Sequence, residues 1–249
     1  MDTLERKSLL NKSGLGFWCI NPVQGCSHGC RYPCHAFMLA RRHGRVQDLA
    51  EWCRPKLVGN ALQLLDKELR KKRVVDCVHM SLTTDPFMFD QPEVQALTLQ
   101  LVERINQSGI PCSILTKGTL PVELADERRF RRDNTYGISL VSIDETFRER
   151  WEPGASPYAE RIAAARALHD KGCRTLVHIE PYPTPNIIVQ DVSALLEQVG
   201  FVDHVFFGGW NYNSSASDFA GRNAFYREQT RIVAAFCKQR GIECEAVVR

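Results

Sequence analysis

Residues 74–116 read VVDCVHMSLTTDPFMFDQPEVQALTLQLVERINQSGIPCSILT. The stretch opens on a short β-branched run, Val74–Leu82, crosses an amphipathic segment of helix length, Pro92–Gln107, and returns to a second apolar run, Ile110–Thr116. Two such runs joined through a helix make a parallel strand pair, and crossovers of that kind are right-handed. Turn residues mark the boundary at Ser108-Gly109-Ile110-Pro111.

The same rhythm continues toward the C-terminus. Further apolar runs are Tyr136–Val141, Thr175–Ile179 and His204–Phe207, and helices are predicted over Leu120–Arg131, Ser156–Asp170, Val189–Val199 and Ser217–Gln239. The Ser156–Asp170 segment has Ser156 as its expected N-cap, Pro157 at the first helical position and Gly172 as its stop. Within it Ile162, Ala165 and Leu168 form a narrow apolar stripe suited to packing on a sheet. Toward the N-terminus, Gly16–Asn21 reads as a strand, a cysteine-rich loop follows, and a long helical region, broken near Arg54-Pro55, runs to Lys72. Six strand–helix units with no linker or repeat predict one α/β domain over 1–249, a partial (β/α)6 barrel with a parallel sheet. The cysteine loop falls at 22–36, and the C-terminal part, 217–249, holds a helix and an edge strand, Ile242–Val248. Folds of this kind place their sites at the C-terminal ends of the strands.

Composition narrows the function classes. The chain has 249 residues, 44% hydrophobic and 24% charged, the proportions of a globular protein. No apolar run reaches the roughly 18 residues of a membrane span, and MDTLERKSLLNKSG alternates charges where an export signal would be apolar. A cytoplasmic protein with no membrane partner is expected. The balance of 32 basic and 29 acidic residues does not by itself indicate a nucleic-acid partner. Neither Walker A, HExxH nor GxSxG occurs, so triphosphatase, zincin and serine-hydrolase readings lack support.

Ten cysteines are more informative. Cys19, Cys53, Cys77, Cys112, Cys173, Cys237 and Cys244 are scattered and read as small buried hydrophobes. Cys26, Cys30 and Cys34 crowd into nine residues of the loop NPVQGCSHGCRYPC, 21–34. In a reducing compartment such clusters bind metals or do redox chemistry. Structural zinc normally takes four protein ligands, often from CxxC pairs, which are absent here. Iron–sulfur clusters are held by thiolates, normally four, so three would leave one iron open to a small ligand.

The run GCSHGC-RY-PC after the first strand resembles the cysteine motif of radical S-adenosylmethionine (SAM) enzymes, and most of all the group related to spore photoproduct lyase. The usual spacing there is C-x3-C-x2-C; this chain has Cys26-x3-Cys30-x3-Cys34, with Tyr32 in the aromatic place and Pro33 inserted. Four further segments resemble the same group in order: Met80–Phe87 with its Asp-Pro, Ser113–Lys117, Ser139–Asp144, and Glu152-Pro153-Gly154 followed by Arg161. The resemblance runs from about Gly16 to Trp210. It implies a [4Fe-4S] cluster on Cys26, Cys30 and Cys34, SAM chelated through its amino and carboxylate groups at the fourth iron, and reductive SAM cleavage. It also implies an electron donor of flavodoxin or ferredoxin type. The alternatives are a non-catalytic iron–sulfur or zinc module on the same fold, and a lyase-type repair or modification enzyme acting on DNA or RNA.

SAM carries a carboxylate, an ammonium and a sulfonium, so its site needs complementary groups. Lys117 at a strand end suits the carboxylate, or is a solvated lysine. Thr84, Ser139 and Ser142 suit the ribose or amino-acid part, or cap turns; Thr83 and Thr116 belong to the same strand-end segments. Glu180 shares a strand face with His178 and either orients ribose or substrate or forms a structural ion pair. Trp210, Asn211 and Tyr212 line a substrate mouth or form a lid. No residue is assigned as catalytic. Against a DNA lyase, the hydrogen-donor cysteine that the resemblance would place at the end of the second strand is missing: that stretch is Ser81–Thr84, and the nearest cysteine, Cys77, is expected buried. Three basic runs, Arg41–Arg45, Arg70–Arg73 and Arg128–Arg132, hint weakly at nucleic acid. The second is expected to pair with Asp66 and Glu68, and the third has acidic neighbours. A further partner protein and the substrate, macromolecule or metabolite, stay open.

Overall fold

A computed structural model of the chain describes residues 1–71 and 74–247. Its main sheet contains seven parallel strands: β1 (Trp18–Ile20), β2 (Val78–Met80), β3 (Cys112–Thr116), β4 (Thr135–Ser139), β5 (Arg174–Tyr182), β6 (His204–Gly209) and β7 (Glu243–Val247). They lie side by side in chain order, and the two-residue strand Asn11–Lys12 runs antiparallel beside β1. Consecutive neighbours all the way across are what repeated crossovers in one direction produce. The sheet does not close, since Asn11–Lys12 and β7 are its two edges. It is an α/β, mostly parallel, open-barrel sheet of the expected class.

The longer helices are α1 (His35–Arg42), α2 (Ala61–Leu69), α3 (Pro92–Gln107), α4 (Glu145–Trp151), α5 (Tyr158–His169), α6 (Val192–Val199) and α7 (Arg222–Arg240). Val94, Leu101, Val102 and Ile105 bury one side of α3, which begins at Pro92 as predicted. Ala165 and Leu168 of the α5 stripe are fully buried, with Ile162 packed beside them. Burial alternates along β3 and β5, as the two-residue repeat of a strand requires.

Several expectations are corrected. Leu120–Arg131 contains only a short 3-10 turn, Val122–Ala125, which follows Pro121 and ends as Asp126 turns to extended backbone. The long helical region before β2 is three helices, because Arg54-Pro55 stops Leu49–Trp52 and starts an extended segment, Lys56–Val58, paired with Thr3–Leu4 and Val23–Gln24. Its predicted end at Lys72, and Val248 of the last strand, lie outside the described residues. Pro157, not Ser156, caps α5, since the Ser156 N–H and hydroxyl both donate to the Lys117 carbonyl. Ser217–Gln239 is split into Ser214–Ser217 and α7, with Gly221 capping the latter. Among the scattered cysteines Cys19, Cys112 and Cys237 are buried, Cys53, Cys77 and Cys173 are half-buried, and Cys244 is exposed on the edge strand. Glu68 is not part of a solvated face: it is buried and accepts the Leu9 and Leu10 N–H groups, while Asp66 pairs with Arg104 instead. Lys72 and Arg73 of that basic run lie outside the described residues. The Arg128–Arg132 run is neutralised, with Asp126, Glu103, Asp133 and Glu127 each holding one arginine.

Candidate functional site

The loop after β1 folds over the C-terminal ends of β2 to β6 and bounds a cavity of about 410 Å³. Cys26, Cys30 and Cys34 all line it. Two chain segments hold the loop in place. The Cys26 N–H donates to the Trp52 carbonyl, and the Thr84 hydroxyl to the Gly25 carbonyl. On the other side the Gly154 N–H donates 2.9 Å to the His28 carbonyl, an approach so close that a Cβ on Gly154 would lie 2.3 Å from the Ser27 carbonyl oxygen. Only glycine fits there.

His28 is buried between the cysteines and fastens the loop to the strand ends. Its Nε2 accepts from the Phe89 N–H at 3.1 Å, and its Nδ1 stands 3.6 Å from Asp85 Oδ2. Burial holds its pKa below the ordinary histidine value, although the Asp85 charge works the other way. The neutral ring with Nε2 as acceptor fits both contacts. Asp85 in turn accepts from the Thr116 hydroxyl at 2.6 Å and from the Phe87 and Lys117 N–H groups.

A second network lies under Cys30. Tyr32 donates its hydroxyl to Glu152 Oε1 at 2.6 Å. Glu152 is fully buried and pairs with the equally buried Arg161 at 2.8 Å, while Lys117 Nζ stands 3.6 Å from Oε1. Arg161 also donates to the Ser156 and Ser139 carbonyls. Burial raises the Glu152 pKa, but the Lys117 and Arg161 charges and the Tyr32 hydrogen bond outweigh it, so the carboxyl sits below its ordinary value. Glu152 therefore stays ionised, joining α4, α5 and the strand ends beneath the cysteine loop.

Of the sequence-predicted residues, Thr84, Lys117, Ser139 and Glu180 line the cavity with the three cysteines. Thr83, Thr116 and Ser142 are not among its lining residues. Thr83 bonds Asn21, Thr116 bonds Asp85, and the Ser142 hydroxyl accepts the Asp144 N–H in a turn. His178 and Glu180 share one face of β5 as expected, 3.9 Å apart. Gly208 makes room for Glu180, since a Cβ there would lie 2.6 Å from its Oε1. Trp210 is buried against Tyr32, Phe147 and Trp151, and Asn211 and the exposed Tyr212 sit at the mouth. Sequence reasoning gave no role to His28 or Ser81, and marked Asp85 only as part of a strand-end segment. The signal for Ser81 exists only in three dimensions: it has a positive φ of 61°, is buried, and its hydroxyl has no partner among the described residues.

Three cysteine thiols on one cavity are the donor type that iron–sulfur clusters take. Among the described residues no three His, Cys, Asp or Glu side chains are gathered closely enough to hold one metal ion. The thiols nevertheless sense one another. Burial pushes Cys30 up to about 12, with the Glu152 and Cys34 charges adding to it, and burial with the Asp85, Cys30 and Cys34 charges also pushes Cys26 well above the ordinary thiol value. The Cys26 and Cys30 thiols resist ionising unless a strongly cationic centre takes the proton's place, and a coordinating thiol is deprotonated.

The radical SAM superfamily matches residues 20–199, and the chain belongs to that superfamily. Membership implies a [4Fe-4S] cluster and SAM. The chain is 24% identical over 191 residues to the protein ORF301 of Acidianus two-tailed virus, covering 73% of this chain and 61% of that one. It is 30% identical over 190 residues to the protein Rv2578c of Mycobacterium tuberculosis, covering 70% and 54%. The chain thus spans little more than half the length of these relatives. In fold it is similar to spore photoproduct lyase complexed with dinucleoside spore photoproduct, with a TM-score of 0.69, 14% identity and 99% and 81% coverage. It also resembles Streptococcus suis SuiB bound to S-adenosylmethionine, with a TM-score of 0.50, 17% identity and 74% and 40% coverage. Among the described residues no helix is long and apolar enough to cross a membrane.

Proposed function

We propose that Cys26, Cys30 and Cys34 hold one [4Fe-4S] cluster and that the remaining lining of the same cavity binds SAM. The observation behind this reading is that the three thiols and the polar strand-end side chains Thr84, Lys117, Ser139 and Glu180 share one cavity. When bound, cluster and SAM supply reductive cleavage to methionine and a 5′-deoxyadenosyl radical, which takes hydrogen from a substrate.

The chain's own residues orient and enclose. Lys117, only 15% exposed and steadied by Glu152, offers an ammonium to the SAM carboxylate. Asp85 and Glu180, which both line the cavity, offer negative charge to its cationic groups. Ser139 and Thr84 supply short hydroxyls for the ribose or amino-acid part. Thr83, Thr116 and Ser142 act one step back, by fixing Asn21, Asp85 and the turn after β4. Trp210 and its aromatic neighbours keep water from that side of the cavity. The extra residue in the motif, Pro33, is accommodated because Tyr32 is tied to Glu152 and Cys34 starts α1.

The test is 5′-deoxyadenosine formation by anaerobically reconstituted protein after chemical reduction. The reading predicts the product in wild type and its loss in Cys26→Ala, Cys30→Ala and Cys34→Ala. Formation that survives all three substitutions would refute it.

A further inference from the structure

The middle of the cysteine loop lies along the end of α4. The His28 carbonyl accepts the Gly154 N–H at 2.9 Å, and the Arg31 N–H donates to the Trp151 carbonyl at 2.8 Å. Residues 28–32 therefore run beside residues 151–154, which sets Cys30 against the fully buried Glu152. The Tyr32 hydroxyl completes the contact, 2.6 Å from Glu152 Oε1.

The two carboxylate oxygens face different ways. Oε2 meets Arg161 at 2.8 Å, whereas Oε1 meets Tyr32 and has Lys117 Nζ at 3.6 Å. Lys117 is also close to the loop, 5.7 Å from the centre of the Tyr32 ring, and lines the same cavity as Cys30. One negative and one positive group thus stand on the Cys30 side of this network. After burial itself, the Glu152 charge is the strongest influence on the Cys30 thiol, and Lys117 opposes it next.

Water does little to screen these charges. Cys30 packs against buried Tyr32, Val141, Phe147 and Trp210, with Trp151 on the same apolar cluster. Electrostatic effects are larger in such surroundings than at a surface. Stability alone does not account for the choice of residues, because a well-packed apolar set in place of a buried ion pair is often as stable. Net charge around an iron–sulfur cluster, however, sets its reduction potential. The added electron makes the cluster more negative, so a fixed carboxylate behind one of its thiolates opposes reduction and a fixed cation favours it.

We propose that Glu152 holds down the reduction potential of the cluster from behind Cys30, and that Lys117 limits how far. The proposal rests on the cluster assignment above and adds which residues set the cluster's reducing power. In the step itself the cluster takes one electron from the reductant; no bond forms or breaks, and no proton leaves Glu152 or Lys117.

The test is a redox titration of the full chain with its cluster, without SAM, using dithionite and mediator dyes and reading the reduced cluster by electron paramagnetic resonance. Wild type is compared with Glu152→Gln, Glu152→Asp and Lys117→Met. At a fixed applied potential, Glu152→Gln should raise the ratio of reduced to oxidised cluster about ten-fold or more, equal to about 59 mV for one electron. Lys117→Met should lower that ratio, and Glu152→Asp, which keeps the charge, should stay nearer to wild type than Glu152→Gln does. A smaller rise in Glu152→Gln overturns the proposal, as does an equal shift in Glu152→Asp. So does movement of Glu152→Gln and Lys117→Met in the same direction, the result expected if both merely loosened the fold. Where Glu152→Gln retains no cluster, Lys117→Met decides, since it leaves the Glu152–Arg161 pair in place: a ratio at or above that of wild type overturns the proposal. Wild type that assembles no cluster refutes the function reading and this proposal together, whereas a four-iron wild type with unshifted variants refutes this proposal alone.

Discussion

Replacing Glu152 by glutamine keeps the side chain's shape and removes its charge. In the folded protein this leaves the Arg161 guanidinium, fully buried and 2.8 Å away, with no counter-charge, and deprives Lys117 of its anchor at 3.6 Å. Removing one partner of a buried ion pair costs roughly 3–5 kcal/mol. The Tyr32 hydroxyl also exchanges a charged acceptor for a neutral one, a loss of about 1 kcal/mol. Arg161 keeps its bonds to the Ser156 and Ser139 carbonyls, so the lower part of the range applies, and we expect a loss of about 4 kcal/mol. That is a large share of the ~5–15 kcal/mol by which domains are stable. The assay is equilibrium urea unfolding of the reduced, cluster-free chain, comparing Glu152→Gln, Arg161→Met and the double variant at matched m-values. The account predicts that the second substitution adds little to the first, with a coupling energy of about 2–3 kcal/mol. Single losses below about 1 kcal/mol, or losses that simply add, would refute the idea that this buried pair ties α4 and α5 beneath the cysteine loop.

Acid should weaken the same protein. His178 is pushed down to about 3, mainly by burial and then by the Lys117 charge, so the unfolded chain takes up a proton near the ordinary histidine value of about 6.5 while the fold does not. Stability therefore falls as pH drops from that value toward 3, and His178→Phe should flatten this limb in pH-dependent urea titrations. Glu152 adds to the loss at lower pH: its folded value is depressed, so its contribution is complete above the unfolded carboxyl range and is lost as pH falls through the folded value. Gly154→Ala drives a Cβ into the Ser27 carbonyl and should lower iron incorporation several-fold; full iron content in that variant would show that the loop tolerates the shift. Ser81→Gly removes the strain of a non-glycine residue at φ 61° and a buried hydroxyl with no partner among the described residues, and should raise stability by up to about 1 kcal/mol in thermal unfolding.

The strand–helix rhythm was legible because β2 to β6 are largely buried and so stand out as β-branched runs bounded by turn residues. Leu120–Arg131 misled for a local reason. Its apolar residues Leu120 and Leu124 are buried four apart, a helical spacing, yet Pro121 and the Asp126–Arg128 ion pair fold the chain into turns. The three cysteines could be read because nothing else explains their density. The polar network beneath them was less visible. Tyr32, Glu152 and Arg161 are 120 and 9 residues apart along the chain, and a strand or helix pattern holds no record of which ions meet across it. Thr83, Thr116 and Ser142 show the opposite case, hydroxyls at the right strand ends that turn to neighbouring polar groups rather than to the cavity.

The central claim is that three thiols hold a cluster with one iron left for SAM. Anaerobic reconstitution followed by iron and sulfide counting, with the reduced protein's electron paramagnetic resonance recorded before and after SAM, tests it most directly. The account predicts four irons per chain and a spectrum that SAM changes, both lost in Cys34→Ala. One zinc per chain, or a cluster whose spectrum ignores SAM, would contradict it.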